Sequence, residues 1–186
     1  MKKLITTLAC LVIMGGIMAQ EHLSFKGVPV KGTLKEFTAA MEKAGFKSEG
    51  TNDDGITLLS GDFEGYKGCM MGVSTLSDSD LVNSVAVIFP ERNTWASLLS
   101  DYEQLKSMLT KKYCEPAMDM EYFTGSVTEN DSDALKMSAL DKDEIMWFTI
   151  YSSNLGNIEL SIVSSSPGEG VVRMMYSDLN IIESMK

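Results

Sequence analysis

Residues 81–113 read LVNSVAVIFPERNTWASLLSDYEQLKSMLTKKY, and the architecture turns on this stretch. In its first part Val85, Val87 and Phe89 fall on one face while Ser84 and Ala86 fall on the other, the period of two of a strand with one buried side. Pro90 ends that strand, because proline has no N–H to give to a ladder. Beyond it the period lengthens. Trp95, Leu98, Leu99, Tyr102, Leu105, Leu109 and Tyr113 form one apolar stripe at helical spacing, with Asn93 or Thr94 placed to cap the first turn and Pro116 to stop the helix. A half-buried strand leading into a long amphipathic helix asks for a layer of helix on sheet.

Working upstream, Leu23 to Val30 reads as a short strand that Pro29 confines to an edge. Thr33 and Glu36 form a capping box for a helix carrying Leu34, Phe37, Met41 and Ala44, with Gly45 as its left-handed stop. After the turn Asn52-Asp53-Asp54-Gly55, strands are predicted over Ile56 to Phe63 and Lys67 to Leu76, ahead of Leu81 to Phe89. Downstream, a looser stretch holds Met118 and Met120, and Ala134 to Leu140 reads as a helical turn or a strand. Strands follow over Ile145 to Tyr151, Ile158 to Ser164 and Val171 to Tyr176, and a short helix over Leu179 to Met185. The order is helix, three strands, helix, three strands. Short turns between strands point to an antiparallel sheet with both helices on one face, an α+β domain built as two tandem helix-plus-three-strand units.

The chain has 186 residues, enough for one domain plus a targeting segment, and its 44% hydrophobic and 23% charged residues are those of a globular protein. Residues 1–19 carry Lys2-Lys3, an apolar run from Leu4 to Met18 and Ala19 before Gln20. That is the layout of a cleavable signal peptide, too short for a membrane span, so residues 20–186 are expected to be one periplasmic or secreted domain without a transmembrane segment. The formal net charge is −10. A chain this acidic repels phosphate backbones, and no nucleic-acid partner is expected. Losing the leader also removes Cys10 and leaves Cys69 and Cys114. Two readings of that pair stay open: a disulfide, which would stabilise the fold by about 4 kcal/mol, or two buried free thiols.

Several of these features recur together elsewhere. The leader ending in Ala19-Gln20, the opening from Leu23 through Phe25 and Gly27 to Val28-Pro29, Phe37 with Gly45-Phe46, and the helix carrying Trp95, Tyr102, Leu105 and Lys112-Tyr113 before Pro116 resemble small exported proteins of gut Bacteroidetes. The layout this resemblance implies is similar to that of beta-lactamase-inhibitor-like folds, two helix-plus-sheet units in tandem. The resemblance brings no catalytic residue with it, and it places glycine where Cys114 stands, which would make a disulfide particular to this chain.

Candidate chemistry is sparse. His22 is the single histidine, so triad catalysis and histidine-rich zinc sites lack their parts. Standing third after the expected cleavage point, Gln20-Glu21-His22 offers the amine, two amides and the imidazole as a square-planar nitrogen set for Cu(II) or Ni(II), against the plainer reading of an exposed polar terminus. The acidic runs at Asn52 to Gly55, Asn130 to Asp133 and Asp141 to Glu144 lack the ligand spacing of a calcium loop and read as solvated turns. The methionines read as core filling. No cofactor is expected. What remains is a non-catalytic exported module that binds a protein or a surface glycan through its sheet face or an edge strand, with Tyr66, Tyr122 and Tyr151 as candidate anchors. The alternative is a carboxylate-dependent hydrolase of envelope or dietary polysaccharide, which requires a cleft with two facing acids, one of raised pKa.

Overall fold

A computed structural model describes residues 22–77 and 79–180. The leader read over residues 1–19, Gln20 and Glu21, and most of the helix read over Leu179 to Met185 lie outside the described residues. Ten strands and three helices are present among them: β1 (Ser24–Phe25), β2 (Val28–Pro29), α1 (Leu34–Lys43), β3 (Lys47–Thr51), β4 (Thr57–Phe63), β5 (Tyr66–Thr75), β6 (Val82–Ile88), α2 (Trp95–Tyr113), β7 (Met118–Phe123), α3 (Asp133–Asp141), β8 (Ile145–Ser153), β9 (Gly156–Ser166) and β10 (Glu169–Asp178). The strands β3 to β10 form one antiparallel sheet in the order β3-β4-β5-β6-β10-β9-β8-β7. Each half is a helix followed by four strands that pair in chain order, with α3 inserted between β7 and β8 in the second half, and the two sets join where β6 meets β10. The α+β fold with its antiparallel sheet is therefore as read from the sequence.

Two details differ and one open alternative is decided, each for a physical reason. Each half has four strands in the sheet, not three. Lys47–Thr51 has no buried side chain and little strand propensity, and forms because it pairs with β4. Met118–Phe123 pairs with β8 in six consecutive partners. Ala134 to Leu140 is helical: Ser132 caps α3 by accepting a hydrogen bond from the Leu135 N–H. Finally, the stretch Leu23 to Val30 is a two-residue-per-arm hairpin outside the main sheet, turning at Lys26 and Gly27, both at positive φ.

The helices form where their caps and stripes demand. Thr33 and Glu36 close the capping box reciprocally, and the Thr33 N–H holds the Glu36 carboxyl below its ordinary range. Thr94 caps α2 through the Ser97 N–H, while Lys111 and Lys112 sit in its last turn, where the helix dipole favours cations. All three helices contribute buried residues to a single core against one face of the sheet: Phe37 and Met41 from α1, Leu98, Tyr102, Leu105 and Leu109 from α2, Met137 and Leu140 from α3. One cross-strand row of that face runs Leu59, Met71, Val87, Met174, Leu160 and Thr149, every one essentially inaccessible to water. Burial of each such apolar side chain contributes about 1.5–3 kcal/mol before entropy is counted.

The β1–β2 hairpin fastens to the same core. Phe25 stacks on Phe63 at 4.7 Å and meets Tyr176 edge-on at 5.4 Å. The buried carboxylate of Asp178 accepts the Leu23 N–H at 2.6 Å and lies 3.3 Å from His22 Nδ1. Both cysteines are free thiols. Cys69 points into the core from β5, and Cys114 is exposed just after α2, so the two are not joined. Cys114 holds φ 67° and ψ −154°, a conformation glycine adopts far more readily than cysteine.

Candidate functional site

With every helix on one side, the other face of the eight-stranded sheet is bare among the described residues. Side chains alternate along each strand, so the register identifies what that face presents. One row reads Leu58, Gly72, Ala86, Met175, Glu159, Ile150 and Met118 across seven strands. The next reads Ser60, Met70, Ile88, Arg173, Ser161, Phe148 and Met120. A sheet face meant only for water is mostly polar. Across these two rows apolar side chains dominate, while the row on the far side of the first, Ser74, Ser84, Ser177, Asn157 and Ser152, is polar. Among the described residues Met118 (45% exposed), Tyr122 (44%), Met70 and Met146 are among the most exposed large hydrophobic side chains.

At the β8–β9–β10 end this face sinks into a hollow of about 410 Å³ whose lining includes Met118, Met146, Phe148, Ile150, Val163 and the polar group Glu159, Ser161 and Arg173. Arg173 Nη2 donates to Glu159 Oε1 at 2.8 Å. Arg173 Nε and Ser161 Oγ are buried, and neither has a partner among the described residues. Ser161 is 5% exposed. Its neighbours across the strands are Phe148 and Arg173, whose longer side chains flank the small serine. A buried polar atom without a partner costs about 1–3 kcal/mol, which makes this the least settled point of the face.

The helix side of the same end is polar in a different way. Thr149 Oγ1 donates its one proton to Asp119 Oδ1 at 2.8 Å, so Tyr102, 2.6 Å from the same oxygen, must be the donor of that bond. Lys106 Nζ donates to Asp119 Oδ2 at 2.7 Å and also to Glu121 Oε1. Burial opposes the charge on Lys106 and on Asp119, but the bonds between them outweigh it, raising the lysine and lowering the aspartate from their ordinary values. Beside this network lies a cleft of about 320 Å³ lined by Trp95, Leu99, Glu103, Glu121, Glu129, Lys136 and Trp147. Lost hydration and the neighbouring Glu121 push the Glu103 carboxyl up. The Trp147 indole N–H is buried there without an acceptor among the described residues.

The sequence-derived candidates land in different places. Tyr66 donates from its hydroxyl to Asp101 Oδ1, whose other oxygen takes Arg92 Nε, and its ring meets Phe89 edge-on; burial first and Asp101 second push its phenol up to about 12. Tyr151 is core, donating to the Lys106 carbonyl and accepting from Thr110. Both are packing residues. Tyr122 alone of the three lies on the open face. His22 turns the imidazole nitrogen needed for a planar metal set toward Asp178, and Gln20 and Glu21 lie outside the described residues. The acidic turns bind backbone: Asp131 takes the Thr128 N–H within its own turn, and Asp141 takes the Gly168 N–H of the β9–β10 turn. Met71 and Met174 are core filling, whereas Met70, Met118, Met120 and Met175 belong to the open face. The signal for that was the alternation of Met118, Met120 and Tyr122 with Asp119 and Glu121.

No family model, curated protein or solved structure matches this chain. Among the described residues, no helix is long and apolar enough to cross a membrane.

Proposed function

We propose that this protein is a non-catalytic exported recognition module that holds a protein or surface-glycan partner against the open face of its sheet. The observation that carries the reading is the pair of cross-strand rows from Leu58 to Met118 and from Ser60 to Met120, apolar where an unliganded sheet face would be wetted. Methionines supply much of that surface, and their flexible thioethers adapt to a partner's shape. The Arg173–Glu159 pair and Ser161 give the patch a polar centre that fixes orientation, as polar groups within apolar interfaces do. The test is affinity capture from the native envelope fraction with the wild-type domain, with Phe148→Glu on the open face, and with Ser107→Glu on the exposed side of α2. A specific partner retained by Ser107→Glu and lost by Phe148→Glu supports the reading. Equal loss with both variants, or retention by both, contradicts it.

One observation favours the hydrolase alternative: Glu103, with its raised pKa, beside Glu121 and two tryptophans in the helix-side cleft. Against it, Lys106 already occupies Glu121, which blunts that carboxylate as base or nucleophile. Turnover of a glycan panel that Glu103→Gln abolishes would establish catalysis in place of recognition.

A further inference from the structure

We infer that β7 is a docking edge, taking up an extended segment of the partner whose residues alternate apolar and basic; this rests on the recognition reading above and specifies its partner. The sheet has two edge strands and they are built oppositely. β3 is exposed along its whole length, carries Lys47 and Glu49 and is broken by a register shift between Ser48 and Gly50. Charges and bulges of that kind are how proteins prevent strand addition. β7 has neither device on its open-face side: its six pairings with β8 are regular, and Met118, Met120 and Tyr122 lie there opposite Ile150, Phe148 and Met146.

The register also says which backbone groups are free. The Thr124 N–H donates to the Glu144 carbonyl, so in this antiparallel ladder the even positions bond to β8. Asp119, Glu121 and Phe123 therefore aim their N–H and C=O groups away from β8, where an added strand would lie. The same parity divides the side chains. A strand laid on β7 would set every second residue beside Met118, Met120 and Tyr122, and the intervening ones beside Asp119 and Glu121. That second side is acidic on balance among the described residues: Asp119 and Glu121 share Lys106, and Glu103 and Glu129 line the adjoining cleft with Lys136. A second copy of the chain fits poorly: two β7 strands paired antiparallel about Met120 would put Asp119 opposite Glu121 on both sides, and like charges facing across strands repel. A partner with basic residues at alternate positions meets both sides.

The test titrates the full mature chain with a capped nine-residue peptide alternating lysine and valine, following affinity by fluorescence anisotropy and location by amide hydrogen exchange. Saturable binding is expected, with exchange at Asp119, Glu121 and Phe123 slowed at least tenfold. A glutamate–valine peptide should bind about tenfold more weakly or worse, and N-methylation of the lysine–valine peptide should abolish binding at one parity and be tolerated at the other. Glu121→Gln should weaken binding about threefold to tenfold, while Glu49→Gln on β3 should leave it unchanged. Failure to saturate up to about 1 mM, equal binding of the acidic peptide, or indifference to N-methylation at both parities would overturn the edge assignment. Binding that perturbs Met70, Met118 and Phe148 without slowing exchange along β7 would do so too, while leaving the open-face reading standing; that reading fails separately, in the capture experiment.

Discussion

The two halves of the sheet follow one plan, a helix and four strands paired in chain order, and they differ most at the outer strand of each. In the first half β3 is polar on both sides, and its ion pair, Lys47 to Glu49, stands in solvent. In the second half β7 is apolar on the open face, and on the helix side it is tied to α2 through Lys106, Asp119, Glu121, Thr149 and Tyr102. A third helix, α3, also belongs to this half alone. The shared plan is what the core requires. The divergence is what the docking proposal turns on: on its open-face side β7 presents Met118, Met120 and Tyr122 with no charge between them, and an apolar edge row of that kind is a hazard unless something covers it.

The comparison is broken most severely at α3. Leu140 is fully buried, and Leu140→Ala is expected to destabilise the domain by about 3 kcal/mol, as deletion of a buried leucine does elsewhere. Denaturant unfolding measures the loss, and a cost under about 1 kcal/mol would mean that α3 is an appendage and not part of the second half's core.

A paired substitution sharpens the contrast between edges. Lys106→Met leaves Asp119 and Glu121 without their cation and should cost about 1 kcal/mol, a figure already discounted because these groups are partly exposed. Lys47→Met should change stability by no more than about 0.5 kcal/mol. The network also has a pH signature. Asp119 titrates below its ordinary value of 3.8, so its contribution is full above that value and is lost as pH falls through the depressed pKa. Lys106 titrates above its ordinary value of 10.5, so its contribution is full below that value and is lost as pH rises through the raised pKa. Stability of Lys106→Met should therefore converge on the wild type at both acidic and alkaline extremes, and differ most between them. A difference independent of pH would refute the network.

The smallest effect compares the two helix ends. After α1 the left-handed residue is Gly45 at φ 98°, and after α2 it is Cys114 at φ 67°. Cys114→Gly should be neutral to stabilising by about 1 kcal/mol, in contrast to glycine substitutions at ordinary positions, and it removes the exposed thiol. A clear destabilisation by thermal unfolding would show that the cysteine side chain makes a contact of its own.

How far the sequence foretold this molecule depends on whether local or tertiary physics made each part. The capping box at Thr33 and Glu36, the α2 stripe and the alternation through Val85 and Val87 are local signals, and the elements appear where those signals lie. β3 was invisible because Lys47-Ser48-Glu49-Gly50-Thr51 buries nothing and owes its strand to β4. β7 was legible in principle as an alternation, but methionine and tyrosine opposite aspartate and glutamate read equally well as loose core filling. The open face could not be found from sequence. Met70 and Met71 are chemically alike neighbours, and only the packing of all three helices on one side makes Met71 core and Met70 surface. The polar centre at Glu159, Ser161 and Arg173 likewise exists only once β9 and β10 are in register.

Those methionines offer the most direct test of the central claim, that recognition happens on the bare face of the sheet. Oxidative footprinting of the captured complex reads Met70, Met118 and Met146, all exposed on that face, against Met108 on the helix side. The account expects the partner to protect Met70, Met118 and Met146 from sulfoxide formation several-fold while Met108 oxidises as in the free protein. Protection of Met108 with the other three unchanged would place the partner on the helices and contradict it.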